Sequence, residues 1–211
     1  VRYRAKLELS GRKSQEVIQA VMEWIRPMGT NTPEYEHHLM EALWVHQYHD
    51  VVNVDLLKKL LSAKDHHARA AAGRVLCYWR DRVPDTLDLL RTAAADPHPR
   101  VRVEAVRTAS FLEIPEAVEV VIVAREQEPK DRAVEYIASE TMKTLDPIWK
   151  SAVDSNAPIA MKTAAGARYL FRTLSTDELI RLEGEFAHLE PTEYNTTRYR
   201  MVAQDLLLRP G

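Results

Sequence analysis

Asp96-Pro97-His98-Pro99 is a turn, and both prolines must lie before a helix or in its first turn, where a missing N–H costs no hydrogen bond. Beyond it Val101, Ala105, Thr108, Ala109 and Leu112 recur at the spacing of one helical face, with small alanines at its centre that let a second helix come close. A stripe this narrow needs neighbours of the same design. About 33 residues earlier, Asp65 to Leu76 repeats the plan, with Ala68-Arg69 matching Val101-Arg102 and Ala72 matching Ala105. One step further back, Tyr35 to Trp44 sets Glu41-Ala42-Leu43 where Glu104-Ala105-Val106 stands. Forward, Glu140 to Leu145 follows Glu104 to Thr108 at a spacing of about 36. Self-similarity with a period of about 20 to 50 residues marks units that bury their apolar faces only by stacking. The fold expected is therefore all-α: a right-handed α-α superhelix of about six helical pairs.

Each copy is preceded by another amphipathic helix. Ser14 reads as an N-cap for a helix carrying Val17, Ile18, Val21, Met22 and Ile25, ended by Pro27 and Gly29. Its partner runs from about Pro33 to Tyr48. Val54 to Leu61 pairs with Asp65 to Trp79. Pro84 opens a helix with Leu87, Leu90 and Ala94, paired with the one after Asp96. Pro115 opens Ala117 to Ile122, paired with Ala133 to Leu145. After Pro147 the rhythm loosens, since 148–153 looks too short for a helix of its own. A helix is expected again from Met161 to Leu174, weakened at Gly166 by about 1 kcal/mol relative to Ala. Two more follow, one capped at Ser175 or Thr176 and ending before Pro191, the other from about Asn195 to Leu208. With no Gly/Ser linker, residues 1–211 read as one domain, with clear repeats over 12–146 and degenerate ones over 147–211.

The pattern Asp-Pro-x-x-x-Val-Arg-x-x-Ala, with a helix before each copy, resembles HEAT repeats. More closely, Glu8 to Arg12, Tyr35 to Gln47, Val75 to Val83 and Asp96 to Arg102 resemble the HEAT-repeat region of planctomycete and verrucomicrobial secreted proteins, over about residues 1 to 150. Those proteins join a dehydrogenase-like β-propeller to this helical region and to a c-type cytochrome domain. The resemblance implies a periplasmic or other extracytoplasmic place, and a spacer role between the two redox domains.

Charge and cysteine count exclude several functions. A net charge of −2 and a sequence pI near 6.5 leave no overall basic field for nucleic acid or an anionic membrane. The single cysteine, Cys77, excludes an internal disulfide and any multi-thiolate metal centre, and reads as a small buried side chain. Cys-x-x-Cys-His is absent, so no haem is attached and no cofactor is expected in this chain. No apolar run is long enough to span a membrane and no signal-peptide pattern is present. The first ten residues look like mid-protein sequence, and both ends read as uncapped, which suggests a fragment with neighbours on either side.

Three residue sets could carry function. His37, His38, His46, His49, His66 and His67 fall in two successive second helices, and His37, His38, His46 and His49 are weak metal candidates through i, i+3 and i, i+4 pairs with each other or with Glu41. Their spacing fits no closed zinc set, so no metal site is assigned and bonding between adjacent helices is expected. Arg69, Arg74, Arg80, Arg82, Arg100, Arg102 and Arg107 could line a groove, but a ladder with Asp65, Asp81, Asp85, Asp88 and Asp96 from repeat to repeat is the expected use. Of the aromatics, Trp44, Trp79 and Trp149 read as core, and Tyr48 and Tyr78 as the exposed members. The reading is a non-catalytic scaffold that holds a protein, or a neighbouring domain of its own chain, against His38, Glu41, His67, Arg69, Arg74, Arg102 and Arg107. Two rivals are a DNA glycosylase of HEAT-like form, with Trp79 and Asp81 as its local candidates, and a histidine-rich metal- or haem-contacting module.

Overall fold

The computed structural model of this chain describes residues 2–32, 34–155, 157 and 159–174, and these contain ten helices and no strand. The two helices expected beyond Ser175 lie outside the described residues. The chain divides into two compact units, Val1–Leu89 and Leu90–Gly211.

The first unit holds α1 (Arg2–Ser10), α2 (Ser14–Ile25), α3 (Tyr35–Tyr48), α4 (Val54–Leu61) and α5 (His66–Trp79). Here α3 packs against α2, α4 and α5, and α4 packs against α5. Each helix thus touches its neighbour in the chain, and second helices touch each other, as in a stack. The sequence accounts for α4 in full: Leu56, Leu57 and Leu60 form its buried side while Asp55, Lys58 and Lys59 face water, and Asn53 caps it by accepting the Leu56 N–H at 3.0 Å. In α3 and α5, Ala42 and Ala72 have no exposed surface, and the neighbouring Leu43, Val75, Leu76 and Trp79 complete the core. Cys77 is buried, as the sequence implied.

The second unit holds α7 (Pro99–Ala109), α8 (Ala117–Glu126), α9 (Arg132–Asp154) and α10 (Ala164–Thr173), with the unit boundary inside α6 (Thr86–Ala94). The same contact pattern returns: α7 packs on α8 and α9, α8 on α9, and α10 on α8. Val118, Val120, Val121 and Val123 are buried on several sides of α8, as expected of a helix enclosed by its neighbours. Pro99 stands at the first position of α7, where its fixed φ suits the helix.

Five expectations are corrected. The first is α1, a helix where the sequence shows no apolar periodicity. The second is Ser14, which does not cap α2: Lys13 is at the N-cap position, and the Ser14 hydroxyl instead bonds the His49 ring 3.2 Å away. The third is the forward period. N-caps fall at Asp65, His98 and Asp131, and fully buried alanines at Ala72, Ala105 and Ala138, so the step is 33 residues both times. Matching Glu140-Thr141 to Glu104-Ala105 was off by one turn, and Thr141 aligns with the equally buried Thr108.

The fourth is Pro147, which does not end the helix begun at Arg132: α9 runs through it for 23 residues. A proline there removes the bond to the Lys143 carbonyl and costs about 3 kcal/mol. Lys143, Thr144 and Pro147 are all exposed, so the freed carbonyl sits on the solvent side, while the next turns bury Trp149 and Ala152. The fifth is the start of α10, at Ala164 and not Met161, where the Thr163 hydroxyl accepts the Gly166 N–H at 3.1 Å.

Candidate functional site

The second helices of the first unit repeat an exposed stripe as well as a core. On α3 it is His37, Glu41, Trp44 and Tyr48; thirty residues on, α5 carries His67, Ala71, Arg74 and Tyr78, and none of these eight is buried. Tyr48 and Tyr78 are 48% and 61% exposed, as the sequence suggested for both. In the second unit the equivalent positions of α7 are Arg100, Arg107 and Phe111, and those of α9 include Tyr136, Glu140 and Lys143. Phe111 stands 33 residues after Tyr78 and is 49% exposed. A large aromatic side chain therefore recurs, exposed, at one repeat position in three successive second helices or their ends. Beside Tyr48 lies a cavity of about 780 Å³ lined by Tyr3 and Leu9 of α1 and Trp44, Val45 and Tyr48 of α3.

The arginines expected to line a groove divide. Arg74 is exposed and Arg107 is half-buried, its Nε 3.2 Å from the Glu104 carboxylate in the turn before it. Arg69 is half-buried and donates twice, to the Ala63 and Lys64 carbonyls at 2.8 Å each. Arg102 is withdrawn from the partner-binding set: it is buried, and its terminal nitrogens donate to the Glu128 and Pro129 carbonyls at 3.2 and 2.6 Å. So Arg69 and Arg102, at matching positions, hold the main chain of loops where a carboxylate ladder was expected. An ion pair does pass between adjacent repeats at Arg82 and Asp50, in contact through Nη2 and Oδ1.

The histidines also divide. His46 is buried, donates Nδ1–H to the Ala42 carbonyl at 2.9 Å and accepts from the Asn53 amide at 3.1 Å, so both ring nitrogens are engaged and no metal can reach it. Burial pushes its pKa below the usual histidine range, against the raising effect of the Ala42 bond and with help from nearby His49. His38 sets its ring edge-on to Trp24, 5.4 Å between centroids, and His37 lies 3.5 Å from Glu41. Bonds between helices thus account for His46 and His49, and the four weak metal candidates do not converge.

Two groupings escaped the sequence reading. One is Asp65, His66 and His67, the sole set of three metal-capable side chains drawn together among the described residues, its donor atoms all within 4.8 Å of one another. Each residue had been considered in a different role. The other is a buried polar knot on α8. Glu119, with no exposed surface, takes the Arg91 Nε–H and both the N–H and hydroxyl of Thr163. These partners stand 28 and 44 residues away, beyond any local pattern.

The glycosylase reading loses its local candidate, because Trp79 is 1% exposed and cannot stack on a base. Among the described residues no helix is long and apolar enough to cross a membrane. No curated protein and no solved structure matches the chain. Residues 54–140, from the start of α4 into α9, match the family model for HEAT repeats, so repeats of that class form the middle of this all-α chain.

Proposed function

We propose that this chain is a non-catalytic scaffold that holds a protein segment against the exposed side of its second helices. HEAT repeats generally serve as protein-interaction scaffolds. The observation that carries the reading is the recurrence of Tyr48, Tyr78 and Phe111, exposed at one repeat position where packing does not require them. Tyrosine on a rigid helix offers large contact area with little rotamer entropy to lose, and interfaces draw most of their affinity from such anchors. Exposed Arg74, one turn before Tyr78, and His67 supply polar contacts on the same stripe. On the resemblance of residues 1 to 150, the reading extends to a neighbouring domain of the same polypeptide: a spacer between a propeller dehydrogenase and a cytochrome, in the periplasm.

A photocrosslinking side chain placed at 48, 78 or 111 in the parent protein tests this, with Lys58, exposed on α4, as control. Three positions yielding one common crosslinked protein or domain, with none from position 58, is the expected result. That species should then bind the purified chain at least tenfold more weakly when Tyr78 is replaced by Ala. Crosslinks no different from those at 58 overturn the reading.

A further inference from the structure

We propose that Asp65, His66 and His67 form a binding site for one divalent transition-metal ion. Two imidazoles and a carboxylate are a donor set suited to zinc and its neighbours in the first transition row. A tetrahedral ion bound at about 2.0–2.1 Å holds its donor atoms about 3.3 Å apart. The Asp65 Oδ1 atom lies 2.9 Å from His67 Nδ1 and 3.7 Å from His66 Nδ1, on either side of that spacing, so small ring rotations suffice. Asp65 and His67 are exposed and His66 half-exposed, which leaves the rings free to turn and water free to complete the coordination.

The backbone beneath the cluster is fixed from outside it. Glu36 on α3 accepts the Lys64 and Asp65 N–H groups at 2.7 Å each, and Arg69 holds the carbonyls of Ala63 and Lys64. The three side chains therefore project from a segment whose geometry is set before any ion arrives, which lowers the ordering cost of binding. Two further features favour a cation among them. The His66 and His67 rings lie with centroids 3.9 Å apart and tilted 36°, an arrangement that discourages both from carrying a proton but suits two neutral ligands. Asp65 is ionised: slight burial acts to raise its carboxyl, yet the His67 N–H, the His67 ring and the charge of both histidines together hold it below the usual range. On binding, the proton that His67 Nδ1 shares with Asp65 passes to Nε2, so the ring stays neutral and Nδ1 presents its lone pair. The positive end of α5 opposes the ion, which sets the affinity in the micromolar range and not below it.

Titration of the whole chain with zinc chloride by calorimetry, with no partner present, tests the site independently of the scaffold reading. One ion per chain with micromolar affinity is expected. Asp65→Asn keeps an oxygen to cap α5 but removes the charge, and should weaken zinc at least tenfold with the metal-free melting temperature little changed. The His66→Ala/His67→Ala double variant should lose saturable uptake, whereas His37→Ala/His38→Ala should bind as the parent does. Absence of saturable binding overturns the proposal, as does full-strength binding by the His66→Ala/His67→Ala variant, which would put the ion elsewhere.

Discussion

Gly166 occupies a place where a β-carbon would lie 2.7 Å from Glu119 Oε1 and 3.0 Å from two of its carbons. The sequence showed only a weak point in a helix; the contact that demands glycine comes from a side chain 47 positions earlier and leaves no local trace. Gly166→Ala should gain about 1 kcal/mol of helix propensity and lose about 1–3 to overpacking, for a net destabilisation measurable by urea unfolding. In a Glu119→Ala background the clash is gone and the same change should stabilise, a sign reversal that a double-mutant cycle reads directly. Glu119→Ala alone leaves Arg91 buried without its carboxylate and should cost about 3–5 kcal/mol. His46 gives a pH signature. Its folded pKa lies below the unfolded value, so the unfolded chain takes up the proton first. Stability is full above the unfolded pKa of about 6.5 and falls as pH drops through it, levelling once the folded pKa is passed. Melting temperatures from pH 7.5 to 5 should therefore decline in the parent and less steeply in His46→Gln.

The helices themselves were largely readable, for a physical reason: apolar periodicity and Pro, Asn and Asp boundaries are written within ten or fifteen residues. Val54 to Leu61 and the end of the helix at Trp79 came out as the structure has them. Where local signals mislead, tertiary burial overrides them. Pro147 looked like a stop, but Trp149 beyond it is buried and rings with Tyr169 at 5.6 Å between centroids, which holds the last turns of α9 in place. Because Pro147 is itself exposed, Pro147→Ala should restore the bond to Lys143 without loss of packing and stabilise by about 1–3 kcal/mol. A lower stability in that variant would mean that the bend at proline is what seats Trp149. Asp131 caps α9 through the Ala133 and Val134 N–H groups at 2.8 and 3.1 Å, and Asp131→Ala should cost about 0.5–2 kcal/mol in the same assay.

At the level of the full chain, the candidate site was half legible. Single exposed residues such as Tyr78 could be guessed, but the stripe they form needed the correct register, and the register needed the 33-residue spacing of caps and alanines that a 36-residue match obscured. Arg102 was misassigned because a repeat signature residue reads alike whether it faces a partner or grips a loop. With a net charge of −2 and Trp79 in the core, duplex DNA should show no binding by fluorescence anisotropy at 150 mM salt, about physiological ionic strength. The equal steps from Asp65 to His98 to Asp131 carry a consequence for how such a chain can change length. Cutting or copying one period would rejoin a cap to a helix start and an alanine to its seam, so duplication and loss are cheap events for the local structure. The Arg91, Glu119 and Thr163 knot breaks that freedom: removing residues 99–131 would strand Arg91 and unseat the start of α10 together. Copy number in the second unit is thus held by a single buried carboxylate, and variation in length should be tolerated first where no such tie spans the repeat.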